Sequence, residues 1–358
     1  MKPYRLRLPG PTAVPERVRQ AMARPVLAHR GPEFRAILSR AEELMQPLLG
    51  TSNHVLFFAS TGTGMMEAAL VNVLAPGERV LVAVYGQFGE RFAQIARAMG
   101  ASVDTIETEW GRAPDPAAIE TRLRTAEYRA VVVVHNESST GVFAPLPEIG
   151  ALLRGRPELL LVDSVSGLGG MEMRMDEWGV DVVASASQKC LMCPPGLGIA
   201  AISAKACEVV RRDDRLPRYY LDFRRAMESA PETAFTSPVS MIAGLAEALE
   251  MIHEEGVPAV LARHQRLSSA LRDGCAALGL PSFARENLSP TVVAVEAPGR
   301  GKEIGRRMYE RFGTVIAGSR NKLSGRVIRI GTMGGVSAED IQTDLEQLES
   351  CLANPAFA

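Results

Sequence analysis

From His54 to Ala204 the chain alternates short apolar runs with longer stretches of helical period, and few folds satisfy that alternation. "HVLFFAS" leads to "MMEAALVNVLA", "RVLVAVY" to "FGERFAQIARAMG", "ASVDTIE" to "DPAAIETRLRTA", and "AVVVVHN" to "LPEIGALLRG". The runs "ELLLVDS", "VDVVASAS" and "LGIAAISA" continue the series. Strands rich in Val, Leu and Ile, with little polar alternation, are buried on both faces. Separated by helical segments, they predict an α/β fold with a mostly parallel central sheet in a large domain. After about residue 236 the pattern changes to long amphipathic helices, "MIAGLAEALEMIHEEG" and "AVLARHQRLSSALRDGCAALG". "TVVAVEA", a helix near 301–312, "RVIRIGTMG" and a last helix at 338–353 follow, which suits a smaller C-terminal α+β domain. The expected division is an N-terminal segment over 1–20, a large domain over 21–258 and a small domain over 259–358.

Charge and cysteine usage narrow the function classes. Forty basic against 41 acidic residues leave a formal net charge of −1, with no polybasic tail. Nucleic acid and membrane surfaces are therefore not the expected partners; small molecules or copies of the chain are. Five cysteines, at 190, 193, 207, 275 and 351, are odd in number and point to a reducing compartment, so a cytoplasmic location is expected. The opening "MKPYRLRLPGPT" has no apolar signal core. No run approaches the ~18 apolar residues of a membrane span.

In open α/β sheets ligands gather beyond the carboxyl ends of the strands. Three such ends carry unusual residues. In "FFASTGTGMMEAAL" a strand runs into Ser60, Thr61, Gly62, Thr63 and Gly64 and directly into a helix, where free N–H groups and hydroxyls can hold a phosphate. A plain strand-to-helix turn has the same look. In "LLLVDSVSGLGG" Asp163 closes an apolar run, so its carboxylate is expected at the sheet rim, partly desolvated and in need of a cationic partner. The alternative is a helix N-cap. In "SASQKCLMCPP", Lys189 follows the strand "VDVVASAS" among residues that solvate it poorly. Desolvation favours the neutral, nucleophilic amine, whereas a snorkelling lysine would remain charged.

A phosphate cradle, an acid and a nucleophilic lysine at one rim are what pyridoxal 5'-phosphate requires. The cradle anchors the phosphate, the lysine forms an imine with the aldehyde, and the acid pairs with the pyridinium nitrogen. Lys189, once displaced by a substrate amine, would serve as the base that moves the Cα proton.

Several motifs in order strengthen that reading: "LPGPT", "TGTGMMEAALVNVLAPGERVLV", "NESSTGV", "LLLVDSVSGLGG", "SQKCLMCPPGLG" and "RVIRIGTMG". Together they resemble the class V, fold-type I pyridoxal-phosphate-dependent aminotransferases, close to the alanine/serine–glyoxylate (or pyruvate) aminotransferases. The 26 positions between Asp163 and Lys189 match as well. The resemblance implies Lys189 as the Schiff-base lysine and Asp163 as the pyridinium partner. It places Thr61, Gly62 and Thr63 in the phosphate-binding turn, with Gln188 adding a phosphate contact and Ser138 a hydroxyl close to the cofactor. Phe88 matches the aromatic residue stacked on the pyridine ring, and Arg329 the clamp for the substrate α-carboxylate. Thr236 matches a threonine that reaches the phosphate from the neighbouring subunit, so a homodimer with active sites near its interface is implied. Thr233 stands where relatives have a tyrosine. His29 and Arg30 fall close to where relatives build the active-site entrance, as substrate-side or dimer contacts; a plain surface pairing with Glu33 is the other reading of those residues.

The implied reaction takes an amino group from serine or alanine to glyoxylate or pyruvate by a ping-pong mechanism. A 2-aminoethylphosphonate or aspartate aminotransferase is the nearest alternative. A lyase or cysteine desulfurase shares the fold, but the cysteine loop and the histidine before the lysine that a desulfurase needs are not evident. A regulator would require an attached module. Cys190 and Cys193 form a C-x-x-C with no second ligand pair at suitable spacing, so packing, not metal or redox chemistry, is their expected use.

Overall fold

The computed structural model describes residues 4–212, 216–319 and 321–353, without the Arg212 side chain. Seven strands form the central sheet: β1 (Val55–Ala59), β2 (Arg79–Val84), β3 (Ser102–Glu107), β4 (Ala130–Val134), β5 (Leu159–Asp163), β6 (Val182–Ala186) and β7 (Leu197–Ile202). Their spatial order is β1-β7-β6-β5-β4-β2-β3. Every residue of β4, β5, β6 and β7 is buried, as unalternating Val/Leu/Ile runs require when both faces are covered.

β7 pairs antiparallel with both β6 and β1, while the other pairs are parallel. The reason lies in the connection. Only residues 187–196 separate β6 from β7, with no helix among them, and a parallel return needs about a dozen residues or more. The chain must therefore turn straight back, and Lys189 sits in that turn. Hydrogen bonds from Met192 N–H to the Lys189 carbonyl (3.0 Å) and from Cys193 N–H to the Ser187 carbonyl (3.1 Å) close it. The Ser187 hydroxyl adds a bond to the Pro194 carbonyl at 2.6 Å.

The helix Val239–Glu255 lies against Pro32–Leu49 and Glu16–Met22, and its Ile242, Leu245, Leu249 and Ile252 join the core around the sheet. A second core, including Leu271, Ile304, Met308, Ile328, Ile330 and Leu348, forms farther along the chain. It lies between an antiparallel sheet in the order β8 (Val292–Glu296), β10 (Val327–Gly331), β9 (Ala317–Gly318) and the helices Gly301–Phe312 and Ala338–Leu352. The helix Val257–Ala277 contributes Val260 to the first core and Leu267 onward to the second.

The N-terminal segment ties these parts together. Arg5–Leu6 pairs in parallel with Thr314–Val315, and the Gly331 N–H donates to the Arg7 carbonyl at 2.8 Å. A Cβ on Gly331 would overlap the Leu8 carbonyl, so only glycine lets β10 come this close. The Arg7 guanidinium, almost wholly buried, meets the buried Asp344 carboxylate of the last helix at 2.5 Å. Among the described residues, no helix is long and apolar enough to cross a membrane.

Candidate active site

β1, β2, β4, β5 and β6 run the same way, so the loops after their carboxyl ends share one rim. There they enclose a cleft of about 210 Å³ lined by Thr61, Gly62, Thr63, Phe88, Ser138, Asp163, Gln188 and Lys189. Arg91, Asn136, Ser166, Val165 and Met66, which the sequence reading did not single out, line it too. Asn136 lies two positions beyond the end of β4, so the strand-end rule could have found it. Arg91 shares a helix face with Phe88, three residues before it, but that spacing alone does not separate it from an ordinary helix arginine.

The turn after β1 is a capped helix start. Thr61, with extended backbone, accepts the Gly64 N–H on its own Oγ1 at 3.1 Å, and the helix Gly62–Val71 follows. Gly62 is pressed against Val165: a Cβ would come within 2.9 Å of its methyl carbon. Thr63 Oγ1 accepts from Arg91 Nη1 at 2.9 Å.

Asp163 is buried and takes a hydrogen bond from the Val165 N–H at 2.8 Å, which makes it the cap of its own turn. Burial pushes its carboxyl up to about 7, and Glu137 adds to the rise while Lys189 and Arg91 oppose it. The cationic partner expected from the sequence is thus only partly supplied by the protein. Lys189 is shifted the other way: burial first, then the Arg329 and Arg91 charges, lower its ammonium to about 8. Its Nζ donates to the Pro9 carbonyl. Thr12 fastens the same strap by its N–H to the Gln188 carbonyl (3.2 Å) and its hydroxyl to the Lys189 carbonyl (3.0 Å). Gly10, at φ +96°, gives the lysine room, since a Cβ there would lie 2.6 Å from Cε. "LPGPT" is therefore part of the lysine's surroundings, a contact across some 180 positions that local spacing does not reveal.

Phe88 opens the helix Gln87–Ala98, whose first N–H groups are taken by buried neighbours. Glu137 accepts from Phe88 N–H (2.8 Å) and Gly89 N–H (3.2 Å), and Ser139 Oγ accepts from Gln87 N–H (3.0 Å). Arg329, on β10, does not line the cleft but stands beside it: Nη1 donates to the Ser138 carbonyl at 3.0 Å and Nη2 to the Gly318 carbonyl at 2.9 Å. Thr236 lies elsewhere, in a groove with Thr233, Tyr220 and Phe235. Arg30 pairs with Glu232 at 3.9 Å, not with Glu33, and neither it nor His29 lines the cleft. Cys190 packs with Val292 and Met333, whereas Cys193 joins the main core. Burial pushes both thiols up to about 12. Among the described residues no cluster of three or more His, Cys, Asp or Glu could hold a metal ion.

The model of the aminotransferase class-V family matches residues 10–310. The chain belongs to the class-V aminotransferases. It is 38% identical over 355 residues to the soluble hydrogenase 42 kDa subunit of Anabaena cylindrica, covering 97% of this chain and 92% of that one. It is 37% identical over 349 residues to the serine–glyoxylate aminotransferase of Methylorubrum extorquens, covering 92% and 86%. Among solved structures, the alanine–glyoxylate aminotransferase of Nostoc sp. superposes with a TM-score of 0.94 at 33% identity, covering 98% of this chain and 96% of that one. This aminotransferase has the fold-type I architecture of that relative.

The family's cofactor, pyridoxal 5'-phosphate, fits the cleft on three observations. Asp163 is a buried carboxyl with too little counter-charge, which a protonated ring nitrogen would complete. The Gln188 side chain lines that space with its amide oxygen buried and unpartnered, and a half-turn of the amide would aim its NH2 at an acceptor there. A capped helix start carries hydroxyls into the same space.

The carboxyl also makes the cofactor-free aminotransferase pH-sensitive. Its folded value of about 7 lies above its ordinary 3.8, so its stabilising contribution is full below the unfolded value and lost as pH rises through 7. Melting of cofactor-free wild type is expected to fall relative to Asp163→Asn as pH rises from about 5 to about 8. Taking the difference removes the opposing contribution of the buried His135 and His264, both lowered to about 4. Parallel melting curves for the two proteins across that range would refute it.

Proposed function

We propose that this aminotransferase moves an amino group from a small amino acid, serine or alanine, to glyoxylate or pyruvate, by a ping-pong mechanism with pyridoxal 5'-phosphate in the Lys189 cleft. The observation that carries the reading is the pair Asp163 and Lys189, buried at one rim with pKa values displaced in opposite directions. The names of the aminotransferase relatives support the donor and acceptor classes.

When bound, the cofactor supplies an electron sink for the pair left at the substrate Cα. Thr61, Gly62, Thr63 and Gln188 would hold its phosphate, Phe88 its ring plane and Asp163 its ring nitrogen. Lys189 Nζ removes and returns the Cα proton; an amine lowered to about 8 is neutral often enough near neutral pH to do so. Arg329 offers a planar guanidinium to the α-carboxylate, which amino acid and keto acid have in common. Its bonds to the Ser138 and Gly318 carbonyls fix that group in place.

The working form is a cytoplasmic homodimer in this reading. Thr236 does not line its own cleft, and its groove includes Tyr220, 43% exposed, which suits a surface that a second copy covers. Five free cysteines suit a reducing compartment. All five are buried, which leaves no accessible thiol for desulfurase chemistry.

The test is a half-reaction screen. The cofactor-loaded protein is mixed with single amino acids, and loss of the absorbance of the lysine-bound cofactor is followed. Serine or alanine is expected to bleach it and glyoxylate or pyruvate to restore it. No response to serine, alanine or glycine would overturn the substrate assignment.

A further inference from the structure

We propose that Arg91 is a positioning residue that turns the Thr63 hydroxyl into a hydrogen-bond donor for the phosphate of the cofactor. This rests on the cofactor reading above and adds a residue that the motifs did not mark. A threonine hydroxyl has one hydrogen to give and lone pairs that accept. Arg91 Nη1 occupies the acceptor side of Thr63 Oγ1 at 2.9 Å, which leaves the hydrogen to donate elsewhere. The Gly64 N–H does the same to Thr61 Oγ1 at 3.1 Å. The turn thus presents two hydroxyls biased toward donation, which suits an acceptor-only group such as a phosphate ester. A cationic donor also polarises the hydroxyl it binds and strengthens the bond that hydroxyl donates.

Arg91 is itself held by a neighbouring ring, and the helix that carries it is anchored at its start. Its Cζ lies 4.7 Å from the Phe88 ring centroid, a cation–π contact one turn along the same helix. Glu137 and Ser139 grip the first N–H groups of that helix, so its register against the cleft is set by buried side chains.

Affinity of the cofactor-free protein for pyridoxal 5'-phosphate and for pyridoxal, which lacks the phosphate, separates this role from a general structural one. Arg91→Gln is expected to weaken binding of the phosphorylated form by about 10-fold or more. Binding of pyridoxal should be nearly unchanged. Thr63→Val should act alike, and the double variant should lose no more than the worse single one. Equal losses for both ligands, or losses that add, would overturn the proposal. If Arg91→Gln fails to melt cooperatively without cofactor, Arg91→Lys provides the same comparison, with a smaller selective loss expected because the ammonium is still a cationic donor but lacks the reach and planarity of the guanidinium that meets Thr63 Oγ1. Wild type that binds neither ligand would break the cofactor reading instead, whereas unaltered affinity in the Arg91 variants would break only this inference.

Discussion

Lys189→Ala is expected to abolish multiple turnover, with a rate loss of about 10²–10⁴-fold or more, the range for removal of a positioned acid–base group. The loss is large because, among the described residues that line the cleft, Lys189 is the one amine, and the neighbouring cations are the guanidiniums of Arg91 and Arg329. The variant should still bind pyridoxal 5'-phosphate, since the Thr61 cap, the Phe88 ring and the Asp163 carboxyl belong to other strand ends. Steady-state assays together with a binding titration check both halves. Turnover near the wild-type rate would end the assignment of Lys189 as the base. Loss of binding together with turnover would show that the lysine is needed for the cleft itself.

Asp344→Ala is expected to be strongly destabilising although it lies outside the cleft. It leaves the Arg7 guanidinium buried with its principal partner gone, a situation that costs about 3–5 kcal/mol. Arg7 and Asp344 have side-chain exposures of 3% and 0%, so solvent screens little of their interaction. Arg5, 3.4 Å from Asp344, is a cation and cannot compensate Arg7. Thermal melting of the cofactor-free protein should show the loss, and the double variant Arg7→Met, Asp344→Leu should recover most of it, because apolar residues of similar volume avoid the desolvation cost. The single variant melting with wild type would refute the role. The pair bears on the site through the chain: Arg7 is two residues before Pro9, whose carbonyl takes the Lys189 hydrogen bond.

Much of the sheet was legible because its signal is local. An unbroken run such as "LLLVD" reports burial on both faces without reference to its neighbours. Asp163 and Lys189 could be placed at the rim because Asp163 closes such a run and Lys189 comes three residues after the end of the next strand. The reversal of β7 was readable in principle from the short 187–196 connection, but apolar pattern alone carries no direction. Arg91 was missed because a helix arginine three residues from an aromatic is ordinary until its partner, Thr63, is seen 28 positions away. Glu137 was passed over inside "NESSTGV" because a carboxylate in a polar motif reads as exposed; in the fold it is fully buried and caps another element.

By itself, the sequence determined the kind of fold, the strand ends that carry chemistry and, through its motifs, the family. Periodicity and composition act over a few residues and are written into consecutive positions. Tertiary structure alone decided which of those positions meet. It brought Pro9 to Lys189, Arg7 to Asp344 and Arg329 to the Ser138 carbonyl. It kept Thr236 out of its own cleft. It also set the electrostatics, since burial of Asp163 and Lys189 results from packing by distant segments and moves both groups toward neutral pH.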